Sequence, residues 1–332
     1  MLHLDDHWIW DFWLVADGAD HHVFYLQAPR SLGDPERRHR HARIGHAVST
    51  DLRSWEPLPD ALGPGPAGAW DDNAPWTGSI IRAAGQWHLA YTGTSSVDGG
   101  LVQRIGIAVS DDLIRWERPV DDPVLTADHR WYERLGHSDW FDEAWRDPWL
   151  MTDPGSGDTL AYICARTTEG PSDERGAIGL ARSAHLRHWT VDAPVYAPGL
   201  FAQMEVPQVL TVDGHWYLLF CTPDSSHSRR WTRSRAAHTA TYYVVGTEPT
   251  GPFSAEPERL APATFGETHY AGKLHRLGDQ LMYLATVLHD RQGAFVGDLS
   301  NPQPVTIGHD GRLIMEESPP NPPPLRPKLA GT

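Results

Sequence analysis

The sequence predicts an all-β protein, a five-bladed β-propeller with four-stranded antiparallel blades. One observation is a repeated motif that starts with Ile-Gly and reaches a Trp eleven residues later. The motif occurs three times, at residues 44–55, 105–116 and 178–189. A β-rich run precedes each copy, so the repeated unit is a set of short strands. Small antiparallel sheets repeated at this spacing favour radial packing around one axis.

Five β-rich runs give the number of blades. They are apolar, each contains an aromatic residue, and they lie at 22–26, 88–92, 160–164, 217–221 and 281–285. Turn signals stand just ahead, as in Ala84-Gly85 and Asp213-Gly214. Glycine in such turns supplies the positive φ that a tight hairpin needs. We find no pattern typical of a helix longer than about two turns.

The Trp residues of the motif, Trp55, Trp116 and Trp189, are predicted to pack between neighbouring blades, because large aromatic side chains dominate core energetics. The propeller is predicted to span residues 1–310. Residues 311–332 are predicted to form a Pro-rich tail, since a run of prolines cannot join a sheet ladder. An alternative function for this tail is that of a polyproline ligand for a partner.

Composition and charge limit the classes of function. A net charge of −15 argues against nucleic acid as a partner, and the Arg-rich stretch 36–43 is interpreted as a solvated loop. No apolar run is long enough to span a membrane. The N-terminus lacks the pattern of a secretory signal, so we expect a cytoplasmic protein. Cys164 and Cys221 are expected to be buried, reduced thiols, and no zinc-binding spacing is present.

Three acidic residues stand where inner strands of the propeller begin, namely Asp11, Asp147 and Glu205. The repeat directs these strand starts towards one channel mouth. Carboxylates gathered in one pocket are the groups that glycoside cleavage uses. Each has a simpler interpretation, since Asp11 could cap a turn, Asp147 could pair with Arg146, and Glu205 could be a surface acid. We favour the catalytic interpretation because an acid among the Trp residues around Asp11 is costly to bury without a purpose.

The corresponding positions of the other blades, and the neighbours of the acids, carry side chains that stack on sugars or form hydrogen bonds with them. The predicted substrate-binding residues are Trp10, Trp76, Ser79, Arg146, His269 and Tyr270. A non-catalytic propeller that binds sugars or proteins at the same mouth is the rival hypothesis. Such a protein would have no need of all three acids.

These residues resemble the five-bladed propeller glycosidases of families 32 and 68, the invertase, fructanase and levansucrase clan. The resemblance rests on the order of Asp11, Arg146-Asp147-Pro148 and Glu205, and on Trp76-Thr-Gly-Ser79. It covers about residues 5–300. The invertase-type Trp-x-Asn-Asp-Pro-Asn-Gly motif is absent, and Trp10-Asp11-Phe12-Trp13 is closer to the Trp-Asp-Ser-Trp of levansucrases. Family 32 also has a C-terminal β-sandwich, for which no residues remain here.

The resemblance implies a retaining β-fructofuranosidase acting on sucrose or short fructo-oligosaccharides, with fructosyl transfer as a variant. Asp11 is implied as the nucleophile, Glu205 as the acid/base, and Asp147 as the group that binds ring hydroxyls. No metal or organic cofactor is expected. A structural Ca²⁺ could be held by Asp139, Asp142 and Glu143, but we favour the interpretation of these residues as an ordinary solvated acidic loop. The inverting propellers of family 43 are the alternative. The oligomeric state is not predicted.

Overall fold

The computed structural model describes residues 1–262, 265 and 268–315 of the chain. These residues form five antiparallel sheets in chain order, which confirms the predicted five-bladed β-propeller. In every sheet the first strand pairs with the second as a hairpin. The loop has two residues in blades 1, 2, 4 and 5 and six residues in blade 3. At Ala84-Gly85 and Asp213-Gly214 both turn residues have positive φ, as a two-residue hairpin loop requires.

The first three blades contain eleven strands. Blade 1 consists of β1 (His7–Asp17), β2 (Asp20–Pro29), β3 (Arg43–Ser49) and β4 (Glu56–Leu62). Blade 2 consists of β5 (Ala74–Ala83), β6 (Gln86–Thr94) and β7 (Arg104–Ser110). Blade 3 consists of β8 (Trp145–Thr152), β9 (Thr159–Arg166), β10 (Gly176–Ser183) and β11 (Thr190–Tyr196).

Blades 4 and 5 complete the ring. Blade 4 consists of β12 (Glu205–Val212), β13 (His215–Thr222), β14 (Ala240–Gly246) and β15 (Glu258–Arg259). Blade 5 consists of β16 (His269–Leu277), β17 (Gln280–His289), β18 (Phe295–Leu299), β19 (Gln303–Ile307) and β20 (Leu313–Met315). The helical elements whose bounds fall within the described residues are 3₁₀ turns at Arg30–Leu32, Pro35–Arg40, Ser172–Glu174 and Asp224–Ser226, and the α-helical turn α1 (Arg229–Thr232).

Two blades depart from the four-stranded pattern. In blade 2 the fourth strand is replaced by two isolated antiparallel bridges to β7, Val109 with Glu117 and Ile105 with Leu125. Pro119 and Pro123 follow Glu117 within six residues, and proline has no N–H with which to extend a ladder. In blade 5 the second strand pairs with both β18 and β19, so this sheet has five strands.

The hydrophobic core lies between the blades. Five separate clusters of buried side chains each join two neighbouring blades, and the fifth joins blade 5 back to blade 1. Trp55, Trp116 and Trp189 pack against three of these clusters, which confirms their predicted place between blades. The ring therefore closes through packing at every blade interface.

The N-terminal segment also closes the ring through hydrogen bonds. Leu2 forms an antiparallel bridge with Leu299 of β18. His3 Nδ1 lies 2.8 Å from Asp298 Oδ1, and Arg30 Nη2 lies 3.3 Å from the same oxygen. Asp298 is only 3% exposed, so this joint between the first and last blades is a buried one.

The sheet of blade 5 extends beyond the predicted boundary at residue 310, because β20 pairs with β19. The prolines of segment 318–327 fall outside the described residues. Cys164 and Cys221 are buried and form no disulfide, as predicted. No described helix has the length and hydropathy that crossing a membrane requires.

Candidate active site

Every inner strand has the same irregularity at the same place. In β1, Trp10 pairs with Leu26 and Phe12 pairs with Tyr25, which leaves Asp11 as an extra residue. The register shifts in the same way in β5, β8, β12 and β16. Such a bulge bends a strand and re-aims the side chains beside it. The last paired residues before the shift are Trp10, Trp76, Arg146, Glu205 and Tyr270.

The residue that follows has left-handed backbone in four of the five strands. The φ angles are 39° at Asp11, 58° at Asp147, 46° at Val206 and 54° at Ala271. Residues other than glycine rarely adopt such angles, and strained positions of this kind cluster at functional sites. Asp11 and Asp147 are therefore equivalent in the repeat, whereas Glu205 stands one residue earlier, at the position of Arg146.

Asp11 accepts a hydrogen bond from its neighbour in blade 2. The Thr77 hydroxyl donates to Asp11 Oδ2 at 2.7 Å. Burial raises the pKa of Asp11, the Thr77 hydrogen bond opposes this, and the charge of Glu205 adds to the increase. The hydroxyl fixes one carboxylate oxygen and stabilises the ionised form.

Glu205 lies between a cation and a phenol. Arg146 Nη2 donates to Glu205 Oε1 at 2.9 Å, and the Tyr270 hydroxyl donates to Glu205 Oε2 at 2.6 Å. The side chain of Glu205 is 22% exposed, compared with 5% for that of Asp147. Glu205 is therefore more accessible from the mouth of the pocket than Asp147 is.

Asp147 is the more enclosed carboxylate. Its Oδ2 accepts a hydrogen bond of 3.0 Å from the backbone N–H of Val206, and Arg146 Nε lies 3.9 Å away. Its own backbone N–H donates to the Thr92 hydroxyl at 2.8 Å. Burial raises the pKa of Asp147; the charge of Arg146 opposes this, whereas the charge of Asp11 adds to it.

Arg146 connects these groups to a buried network that was not foreseen from the sequence. Its Nη2 also donates to Gln203 Oε1 at 3.1 Å. Its Nη1 donates to Gln103 Oε1 at 3.0 Å and to Asp142 Oδ2 at 3.2 Å. Gln103 Nε2 in turn donates to Asp142 at 2.8 Å. The guanidinium is thus fixed on both sides before any ligand binds.

The acidic loop 139–143 is solvated only in part, since Asp139 is exposed. Asp142 is 5% exposed and Glu143 8% exposed, so the solvated-loop interpretation is wrong for these two residues. Asp142 accepts a hydrogen bond from Arg146, and Glu143 accepts a hydrogen bond from the backbone N–H of Leu135 at 3.0 Å. Within the part of the chain that the structure describes, no group of three or more His, Cys, Asp or Glu side chains is placed to hold a metal ion.

Lys273 is a second cation under the pocket. It is 3% exposed, and its Nζ donates to the backbone oxygens of Val206 at 2.6 Å and Pro207 at 2.9 Å. Burial lowers the pKa of Lys273 to about 8, and the charges of Asp147 and Asp11 act in the opposite direction. Its position two residues after a bulge gave no signal in the sequence.

Of the residues predicted to bind substrate, Arg146 and Tyr270 contact Glu205 directly. Trp10 is only 3% exposed, and Trp76 is partly buried and donates from Nε1 to the backbone oxygen of His39 at 2.7 Å. Ser79 is 1% exposed, and its hydroxyl accepts a hydrogen bond from the backbone N–H of Leu150 at 2.8 Å. Because Leu150 lies in β8, this hydrogen bond joins Ser79 of blade 2 to blade 3.

His269 lies against its own loop. Its ring stacks on Phe265 with the centroids 3.9 Å apart, and its Nδ1 lies 2.7 Å from the Thr268 hydroxyl. Burial lowers the pKa of His269 to about 4, so the ring is neutral at physiological pH. Contact of this residue with a sugar stays a prediction.

The Arg-rich stretch 36–43 is mostly exposed, as predicted, but Arg38 and His39 depart from that interpretation. Residues Pro35–Arg40 form a 3₁₀ turn instead of a solvated loop, and Arg38 is 9% exposed. The guanidinium of Arg38 lies 5.5 Å from the ring centroid of Trp10, and the His39 ring packs edge-on to Trp10 at 5.9 Å. Burial, with the charge of Arg38, lowers the pKa of His39 to about 4. Two residues that looked solvated therefore form part of the pocket wall.

The sequence profile of the glycosyl hydrolases family 32 N-terminal domain matches residues 13–286. The chain belongs to glycosyl hydrolase family 32. The family 32 match starts at Trp13 within β1 and ends within β17, so it covers the inner strands β5, β8, β12 and β16 completely. Asp11 lies two residues before the match.

Relatives of this family 32 chain include an extracellular sucrase of Zymomonas mobilis, 28% identical over 274 residues, which cover 69% of this chain and 65% of the sucrase. A fructan 6-exohydrolase of Triticum aestivum is 29% identical over 177 residues, which cover 51% of this chain and 27% of that enzyme. The chain thus matches less than two thirds of the length of either relative.

Solved structures show the same fold. An inulosucrase from Halalkalicoccus jeotgali bound to kestose superposes with a TM-score of 0.78 at 21% identity, covering 95% of this chain and 90% of the other. The levansucrase of Bacillus subtilis superposes with a TM-score of 0.72 at 14% identity, covering 94% and 87%. At these identities the similarity shows the shared propeller fold alone.

Proposed function

We propose that this family 32 protein cleaves β-fructofuranosides, with sucrose or short fructo-oligosaccharides as substrates and retention of anomeric configuration. The observation that supports this best is the pairing of Asp11 and Glu205 on two blades. Asp11 is oriented by a hydroxyl, and Glu205 lies between Arg146 and Tyr270. Two carboxyl groups in different hydrogen-bonding environments suit a nucleophile and an acid/base.

In the first step Asp11 attacks the anomeric carbon of the fructosyl group and forms a covalent ester. The bond from that carbon to the leaving oxygen breaks, and Glu205 gives its proton to this oxygen. Asp11 must be ionised to attack. The Thr77 hydrogen bond favours that form against the increase in pKa that burial causes.

In the second step water attacks the same carbon from the face that the leaving group has vacated. Glu205 takes a proton from the water, the ester bond to Asp11 breaks, and both carboxyl groups return to their starting states. Replacement of the water by a sugar hydroxyl gives fructosyl transfer by the same steps. We propose hydrolysis as the main reaction and transfer as its variant.

Asp147 is proposed to accept hydrogen bonds from ring hydroxyls next to the reacting carbon. It is buried on a strained backbone and is oriented by the Val206 N–H. A group fixed in this way strengthens its contacts as charge develops, without reorganising. Arg146 fixes Glu205 on the side that faces Asp147.

The test is incubation with sucrose, fructo-oligosaccharides and aryl pentofuranosides, with the released sugars identified and their first-formed anomer followed by NMR. Release of fructose from the fructosides with the β-anomer first supports the proposal. Release of a pentose with inversion supports the family 43 alternative, and binding without release supports a sugar-binding propeller. Either of these results contradicts the proposal.

A cytoplasmic location is proposed separately. Support comes from the two buried free thiols, which would be usual in a reducing compartment. Against it stands the name of one relative, an extracellular sucrase. Fractionation of the source cells with an antibody to this protein decides the matter, and recovery in the extracellular fraction contradicts the proposal.

A further inference from the structure

A second concave surface lies on blade 3, outside the pocket that contains Asp11, Asp147 and Glu205. It is a groove of about 440 Å³, within the size range of small-molecule sites. Its walls come from residues 130–131, the loop between β9 and β10, and the segment after β11. The residues that matter for the argument are Arg130, Trp131, Thr168, Glu169, Glu174 and Pro194.

The groove opens at the same end of the blade as the catalytic pocket. Trp145, at the start of β8, pairs with Ala165 near the end of β9. Gly176, at the start of β10, pairs with Arg166. The loop 167–175 therefore lies at the strand ends where Arg146 and Asp147 lie. A bridge between Tyr132 and Thr167 brings the segment with Trp131 to the same end.

A buried layer separates the two concave surfaces. Arg166 is 1% exposed, its Nε donates to Glu133 at 2.7 Å, and its guanidinium lies 3.8 Å from the ring centroid of Trp140. Trp140 Nε1 donates to Asp142 at 2.8 Å, and Asp142 contacts Arg146. Since none of the three proposed catalytic acids lines it, the groove is a separate site.

Trp131 is the feature that points to a ligand. It is 42% exposed, although a water-exposed indole forgoes the free energy that burial would supply. Its neighbour Tyr132 is fully buried, and the Tyr132 hydroxyl donates to the backbone oxygen of Asp192 at 2.8 Å. The backbone that carries the exposed indole is therefore rigid, as a preformed binding platform should be.

Polar groups that surround Trp131 are free to bind hydroxyls. Among the described residues, no hydrogen bond or ion pair engages the carboxylates of Glu169 and Glu174, and both are outside the core. A flat apolar ring beside carboxylate acceptors suits a ligand that has both C–H faces and many hydroxyls. With a net charge of −15, the protein disfavours an anionic ligand.

We propose that this groove is a second carbohydrate-binding site that takes a segment of a fructo-oligosaccharide chain, with one sugar ring stacked on Trp131. The inference rests on the proposed function for the identity of the sugar. The chain bound there is either the distal part of the one being cleaved or a separate chain. Both have the same chemistry, and the experiment distinguishes them.

The test compares wild type with Trp131→Ala, and uses Ile314→Ala as the control because Ile314 is similarly exposed, at 47%, on blade 5. Steady-state kinetics are measured on sucrose, which is too short to reach both sites, and on inulin. Retardation in native gels that contain inulin is measured in an Asp11→Asn background, where the ligand is not consumed. Glu169→Gln with Glu174→Gln is the second variant, and circular dichroism checks folding.

We expect Trp131→Ala to weaken gel retardation, with the KM for inulin rising about five- to tenfold and the kinetics on sucrose unchanged. Weakened retardation with an unchanged KM for inulin means that a separate chain binds in the groove. Retardation equal to that of the control in both groove variants overturns the proposal. If wild type cleaves neither sugar, the proposed function fails instead, and retardation still tests the groove.

Discussion

The inner strands of blades 1, 3 and 4 carry acids where those of blades 2 and 5 carry hydroxyl donors, although all five contain the same bulge. Thr77 of blade 2 donates to Asp11 of blade 1, and Tyr270 of blade 5 donates to Glu205 of blade 4. Each of these donors serves an acid on the neighbouring blade. The repeated bulge therefore supplies the geometry, and substitution within it divides the blades into those that carry acids and those that orient these acids.

Removal of the Asp11 charge is the largest expected effect in this comparison. Asp11→Asn should lower kcat by roughly 10³- to 10⁵-fold, because an amide cannot form the covalent ester. Asparagine tolerates the positive φ of this position, so folding should be unaffected. Rates on the best fructoside measure the effect, with Asp17→Asn on the same strand as the control. Turnover close to wild type would exclude Asp11 as the nucleophile.

Substitutions in the orienting blades 2 and 5 should lower kcat less. Tyr270→Phe removes one hydrogen bond to Glu205, a contact of about 1.5–3 kcal/mol once Glu205 has given up its proton, and should lower kcat about 10- to 100-fold. The phenyl ring keeps the packing of Tyr270 against the small cluster around Val206. Steady-state kinetics check this, and Tyr243→Phe on blade 4, whose hydroxyl contacts Glu258, is the control. If the two variants lowered kcat equally, the hydroxyl of Tyr270 would have no specific role in catalysis.

Asp147→Asn tests how much a buried acid on an inner strand lowers the free energy of unfolding. The folded pKa of Asp147 is raised, so the folded state binds its proton more tightly than the unfolded state does. The free energy of unfolding therefore decreases as pH rises through the interval between the unfolded and folded pKa values. The amide avoids this loss and should stabilise the protein by about 1–3 kcal/mol at pH 8.

Denaturant unfolding at several pH values measures this difference. The advantage of Asp147→Asn over wild type should disappear near pH 4, where the wild-type carboxyl is protonated in the folded state. Activity should fall sharply in the same variant. A variant less stable than wild type at pH 8 would show that ionised Asp147 is stabilised by Arg146 more than burial destabilises it.

The smallest expected effect concerns Thr77. Thr77→Val removes the hydrogen bond that favours ionised Asp11, so the pKa of Asp11 should rise further. The acidic limb of the kcat/KM profile should then move to higher pH, with a loss of about tenfold or less at neutral pH. Thr77→Ser retains the hydroxyl and should restore the wild-type profile. An unshifted profile in the valine variant would mean that Thr77 does not tune the acid.

The repeat explains why much of the fold was predictable. Five β-rich runs and three copies of the Trp motif are visible without coordinates, and both correspond to blades. The bulge was not predictable, because one extra residue in a strand leaves the alternation of apolar residues nearly intact. The fourth strand expected in blade 2 is absent from the described residues, because prolines beyond Glu117 interrupt the ladder and leave two isolated bridges.

The three acids were predicted from their places in the repeat, although Asp11 is the fifth residue of β1 instead of its first. The groups that support them were not predicted. Gln103, Asp142 and Lys273 contact the site from other elements, and only tertiary structure brings them there. Arg38 was misjudged because a run of Arg and His favours solvent in general, whereas here the guanidinium packs on aromatic rings.

The division between acid-bearing and orienting blades, with Asp11 as the proposed nucleophile, is tested most directly by trapping the covalent intermediate. Glu205→Gln is incubated with fructosyl fluoride, whose leaving group needs little help from an acid, and the protein is digested and examined by mass spectrometry. A fructosyl group attached to Asp11 is the result we predict. Turnover of the fluoride with inverted configuration and no adduct on Asp11 would contradict it.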